Sequence, residues 1–174
     1  MASIQSHIAE VVDSLMGDAQ ALVACLGALK NSQDGQIKLN EGAFNESLVF
    51  LLQAHKSFKM IPSARYLLGI TCADIAAAHA NLGHCNEAAE FARDAILIVQ
   101  GNQIFAKTEA NAHMTLANQL AALGKPDEAE VHYGCARETY RRIPDGSQYL
   151  QALEHNRAIM LPKATNKKPW WKPS

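Results

Sequence analysis

Gly42, Gly83 and Gly124 stand 41 residues apart, and each opens the same small motif: Glu46, Glu87 and Glu128, then Ser47, Ala88 and Ala129, then Ala54, Ala95 and Ala136. A fixed period of this size marks supersecondary units that cannot bury an apolar face alone and must stack to do so. The spacing predicts an α-solenoid whose work is to present a surface.

Composition bounds the rest. A chain of 174 residues, 48% apolar and 19% charged, has the make-up of a single globular body with a real core. The formal charge of -1 hides an asymmetry, because Lys163, Lys167, Lys168 and Lys172 fall in the last twelve residues without an acid. The remainder carries 12 basic against 17 acidic residues, and an acidic body argues against nucleic acid as a ligand. Cys25, Cys72, Cys85 and Cys135 form no CxxC pair, sit within helical patterns and read as small apolar residues in a reducing, cytoplasmic setting. The His84–Cys85 pair has no second pair at ligand spacing, so no metal site and no cofactor is expected. No apolar run reaches membrane-spanning length, and the first residues lack the basic-then-apolar order of a signal peptide.

Helical periodicity covers nearly all of the body. Ile4, Ile8, Val11, Leu15, Leu22, Leu26 and Leu29 predict one kinked helix over about residues 3–30, with Asp18 either a flaw in it or the N-cap of a second helix. Residues 31–36, Asn-Ser-Gln-Asp-Gly-Gln, are expected to be a turn. Helices then follow over 44–59, with Leu48, Leu51, Leu52 and Phe58 inward, and over 63–82, 86–100, 103–123, 126–142 and 147–160. The expected fold is therefore all-α: about seven antiparallel helices in a solenoid, followed by an extended C-terminal tail. Residues 1–60 are read as a helical cap or degenerate repeat, 61–161 as repeats with a capping helix, and 162–174 as a basic Pro/Trp tail.

Leu116, Ala117, Leu120, Gly124, Ala129, Tyr133 and Ala136 sit at tetratricopeptide spacing, as do Ile75, Ala76, His79, Gly83, Ala88, Ala92 and Ala95 one period earlier. The chain resembles a tetratricopeptide-repeat protein of the long-repeat variety found in kinesin light chains and bacterial peptide-sensing regulators. The resemblance covers about residues 63–143. In the first unit it holds only for the second helix, through Gly42, Ser47, Leu51 and Ala54, because the expected turn at 31–36 falls where a first helix should be.

In such a stack the first helix of each pair lines the concave face. Carried along the 41-residue register, the resemblance implies a groove made by Tyr66, Lys107 and Gln148; Ile70, Asn111 and Ala152; Ala73, Met114 and His155; and Ala77, Asn118 and Ile159. Tyr66, Met114 and His155 would supply contact area, and Asn111 and Asn118 would hold a peptide backbone. The alternative for Tyr66 and Met114 is packing between helices. With Lys107 as the sole charge, a basic clamp for a C-terminal carboxylate is not expected.

The tail, Lys-Ala-Thr-Asn-Lys-Lys-Pro-Trp-Trp-Lys-Pro-Ser, holds both tryptophans of the protein, and Pro169 and Pro173 exclude helix around them. Lys167, Lys168, Trp170, Trp171 and Lys172 suit an anchor on a partner protein, a return onto the chain's own acidic body or, as the weakest of the three, contact with an anionic membrane. The N-terminal stripe over residues 4–29 leaves a homodimer open. No phosphate loop, nucleophile elbow or HExxH motif is present, and the seven histidines are scattered, so no catalysis is expected. The function read from the sequence is protein interaction, as adaptor, chaperone or assembly subunit; the alternative is a regulatory sensor for a short peptide or small ligand.

Overall fold

The computed structural model describes residues 3–161, and those residues form eight α-helices and no strand. They are α1 (Ile4–Ser14), α2 (Ala19–Asn40), α3 (Phe44–Lys59), α4 (Arg65–Asn81), α5 (Cys85–Val99), α6 (Ala106–Ala122), α7 (Pro126–Arg142) and α8 (Ser147–Met160). The Trp-containing tail lies outside the described residues.

The sequence period reappears in the helix boundaries. α2, α4 and α6 end at Asn40, Asn81 and Ala122, and α3, α5 and α7 begin at Phe44, Cys85 and Pro126, each set 41 residues apart. The three glycines explain the coincidence. Gly42, Gly83 and Gly124 have φ of +78, +77 and +75°, a left-handed conformation that a side chain disfavours. At each, the next residue's N–H bonds back to the helix, Ala43 to Lys38 O at 2.9 Å, His84 to His79 O at 3.0 Å and Lys125 to Leu120 O at 2.8 Å. This Schellman closure satisfies carbonyls left over at a helix end and sets the direction of the next helix three times alike.

Packing follows the same register. α2 packs on α3, α4 on α5 and α6 on α7, while α4 also meets α2 and α6, and α6 meets α8. The small residues Ser47, Ala54, Ala76, Ala88, Ala95, Ala117, Ala129 and Ala136 are all fully buried. They let the helices approach closely, and the larger Leu51, Phe58, Ile75, Leu116, Leu120, Tyr133 and Tyr140 fill the space between.

Two expectations for the N-terminal region are overturned. The stripe over residues 3–30 is two helices, separated at Leu15–Asp18, with Asp18 Oδ1 accepting the Ala21 N–H at 3.0 Å as the N-cap of α2. Residues 31–36 are not a turn; they lie inside α2. Tertiary packing overrides their turn propensity, because Gly35 stands 41 residues before Ala76 and 82 before Ala117, in the same small-residue row. A Cβ on Gly35 would come within 2.6 Å of Leu51 Cγ, and its carbonyl accepts Ser47 Oγ–H at 2.8 Å. Residues 19–59 therefore hold two long helices, α2 and α3, packed on each other. The count becomes eight helices in place of seven. Leu52, expected to face inward, is 42% exposed.

α1 packs against α2 and the 3-10 turn at Pro62–Ala64, burying Val11 with Cys25, Phe58, Ile61, Ala64 and Leu67. At the other end Leu153 of α8 is fully buried in the cluster containing Leu116, Leu120, Tyr133 and Tyr140. Arg157 Nε adds an ion pair to Glu130 at 2.8 Å, and Arg137 Nε one to Glu154 at 2.6 Å, tying α8 to α7.

Candidate functional site

The residues expected to line a groove fall into three groups. On α4, Ile70, Ala73 and Ala77 are half-buried and leave a low floor. On α6, Asn111, Met114 and Asn118 are half-buried at i, i+3 and i+7, and so share one face. The two asparagines are fixed from behind by α7: the Tyr140 hydroxyl donates to Asn111 Oδ1 and the Tyr133 hydroxyl to Asn118 Oδ1, each at 2.5 Å. Burial raises both phenols, Tyr133 to about 12, so they remain protonated donors. With each amide oxygen engaged, the Asn111 and Asn118 NH₂ groups, which have no partner among the described residues, are left to bind something else.

Tyr66 does not face open space. It stacks on Phe105 at 4.9 Å and meets His7 of α1 edge-on at 5.5 Å, while His7 also lies edge-on to Phe105 at 5.4 Å. Of the two readings for Tyr66, packing is the one observed. Met114 packs against the core and accepts from Asn156 Nδ2 at 3.8 Å.

On α8 the register slips by one. Tyr149, not Gln148, lies beneath Lys107, whose Nζ stands 4.7 Å from the ring centroid, and Asn156, not His155, meets Met114. Gln148, Ala152, His155 and Ile159 are exposed. The link before α8 differs from the earlier ones: Asp145 has φ of +57° and Gly146 lies against the Tyr140 carbonyl, where a Cβ would sit 1.7 Å away. This departure shifts the face that α8 turns toward α6.

Two features of this face escaped sequence reasoning. Ile4, Gln5 and Ile8 of α1 roof a cavity of about 750 Å³ whose walls include Leu29, Lys30, Gln33 and Gln36 of α2, Phe58 of α3, and Leu67 and Ile70 of α4. Beside it the Gln36 amide donates to Asp74 Oδ2 at 2.8 Å, and burial lifts the Asp74 carboxyl to about 6. Asp74 is half-buried and keeps some contact with solvent. A second recess of about 310 Å³ lies between Ala80, Asn118, Ala122, Asn156, Ile159 and Met160. The periodic signal could not have pointed to Asp74, since its counterparts in the register are Gln33 and Thr115.

Two histidine pairs lie elsewhere. His113 Nδ1 and His132 Nδ1 are 2.9 Å apart between α6 and α7, and burial holds His113 down at about 4. His79 Nδ1 and His84 Nδ1 are 3.2 Å apart across the Gly83 turn. Among the described residues no group of three or more His, Cys, Asp or Glu could hold a metal ion. All four cysteines are free thiols, with Cys72 pushed up to about 12 by burial and thus far from a reactive thiolate. No helix among the described residues is long and apolar enough to cross a membrane. No protein-family model, curated protein or solved structure matches the chain.

Proposed function

We propose that this chain is a tetratricopeptide-like α-solenoid of three long repeats, α2/α3, α4/α5 and α6/α7, closed by α1 and α8. In this reading it is a non-catalytic interaction module, an adaptor, chaperone or assembly subunit of a reducing compartment such as the cytoplasm. It holds an extended or helical segment of a partner along the face shared by α4, α6 and α8. The observation that carries the reading is an alanine floor beside amides whose oxygens are already engaged. Ala73 and Ala77 leave room, while Asn111 and Asn118 keep amide donors held in place by Tyr140 and Tyr133. Asn111 and Asn118 stand about 10.5 Å apart along α6, close to the rise over three residues of an extended backbone, and donors fixed before binding lose little side-chain entropy on engaging its carbonyls.

The small-ligand sensor remains the second reading, supported by the cavity of about 750 Å³, which falls in the size range of small-molecule sites.

A random-peptide display library selected on the full chain supplies the probe. Peptides that use this face should lose binding to Ala73→Arg/Ala77→Arg, which fills the floor, and keep it for Val131→Arg on the exposed side of α7. Equal binding to both variants, or selection of no binder at all, would contradict the assignment.

A further inference from the structure

We propose that the basic Trp tail of this chain is itself an occupant of the face described above, with Trp170 and Trp171 in the α1-roofed cavity and Lys167 or Lys168 at Asp74. The inference rests on the groove reading and deepens it by naming a ligand.

Chemistry selects the segment. The cavity of about 750 Å³ is walled by Ile4, Ile8, Phe58, Leu67 and Ile70 and rimmed by the amides of Gln5, Gln33 and Gln36. Apolar depth with a few polar groups at the mouth suits aromatic rings that carry one N–H donor each, as indoles do. Both tryptophans of the protein lie in the tail, and adjacent indoles are poorly placed in water. Lys30, on the same rim, can stand over an indole face.

Charge points the same way. Asp74 is hydrogen-bonded to Gln36, and no cation lies in a salt bridge with it among the described residues. A carboxylate beside an apolar cavity without a counter-charge is an incomplete site, and burial has lifted its proton affinity to about 6. The tail brings four lysines and no acid. Lys167 and Lys168 precede the tryptophans by two to four positions, so they fall near the cavity mouth when the rings are inside.

Reach permits the arrangement within one molecule. The described chain leaves α8 at Leu161, beside the smaller recess lined by Asn118, Asn156, Ile159 and Met160. From there to the cavity between α2 and α4 the path crosses two to three helix spacings, about 20–30 Å, and shifts about 15 Å along α4 from Ala80 to Ile70, about 25–33 Å in all. Trp170 lies nine residues beyond Leu161, which an extended chain spans in about 30 Å.

The two indoles are the sole tryptophans, so tryptophan emission reports on the tail directly. In the full chain the emission should be blue-shifted from that of a free tryptophan amide and shielded from acrylamide, independently of protein concentration. Lys167→Glu/Lys168→Glu, which leaves the helical body untouched, should shift it to the solvent value and remove the shielding. Adding Asp74→Lys to that variant should restore both, and Ile70→Arg, checked for helicity by circular dichroism, should abolish both on its own. Solvent-like emission from the unmodified chain overturns the proposal; if selected peptides still bind there, the groove reading survives that failure. A blue shift that grows with concentration overturns the single-molecule form by assigning the tail to a second copy. Emission unchanged by every variant overturns the site.

Discussion

The His113–His132 contact makes a pH effect that can be isolated from the rest of the molecule. His113 is 8% exposed, its Nδ1 is 2.9 Å from that of His132, and burial together with the second ring holds it at about 4 against an ordinary 6.5. Two facing ring nitrogens share one hydrogen bond only while one of them lacks a proton. His132 is also lowered, first by burial and then by Arg93. The folded value lies below the unfolded one, so the unfolded chain takes up the proton first. The resulting stability is complete above about pH 6.5 and is lost as pH falls toward 4. The displacement of His113 corresponds to about 3 kcal/mol at most. One period earlier in the register, His113 and His132 are matched by Cys72 and Phe91, an uncharged pair in the same setting. The double variant His113→Cys/His132→Phe should therefore fold while shedding the pH dependence. Urea unfolding followed by circular dichroism near pH 7, 5.5 and 4.5 reads the difference between the two proteins. Other titrating groups, Asp74 and Glu154 included, are common to both and cancel. The unmodified chain should lose up to about 3 kcal/mol more than the variant on acidification. Stability curves that run parallel would refute the reasoning.

Two further substitutions test packing and the amide supports. Gly35→Ala places a Cβ 2.6 Å from Leu51 Cγ, so crowding of about 1–3 kcal/mol should outweigh the helix-propensity gain of about 1 kcal/mol. Gly27→Ala on the same helix meets nothing within 4 Å and should stabilise by that gain; thermal melting of both variants gives the two signs. Tyr133→Phe removes the donor to Asn118 and should cost about 1 kcal/mol in urea unfolding, with loss of affinity for any peptide that engages the Asn118 amide.

Much of this fold is legible in the chain because its punctuation is backbone chemistry. Gly42, Gly83 and Gly124 take a left-handed conformation at each first-helix end, and the buried alanines that follow mark close helix approach. Residues 31–36 mislead because local propensity favours a turn there, while the decisive contact, Leu51 against Gly35, is sixteen residues away. Only the small-residue row that joins Gly35 to Ala76 and Ala117 could have placed the helix. The shared face of the candidate residues is half legible. Ile70, Ala73, Asn111 and Asn118 follow from the register, whereas His7 on Tyr66 depends on where α1 comes to rest, and the slip to Tyr149 and Asn156 depends on a tight turn at Gly146. Neither has a periodic signature.

If 41-residue units stack interchangeably, duplicating one tests that stacking most directly. Residues 62–102 contain α4, α5 and the Gly101 link, so a second copy inserted after Asn102 preserves the register and both native helix pairs. The stack predicts unchanged helicity per residue, an unfolding midpoint no lower than the parent's, and a longest dimension in solution scattering greater by one helix spacing, about 8–10 Å. Lost helicity, or growth equal in every direction, would contradict it.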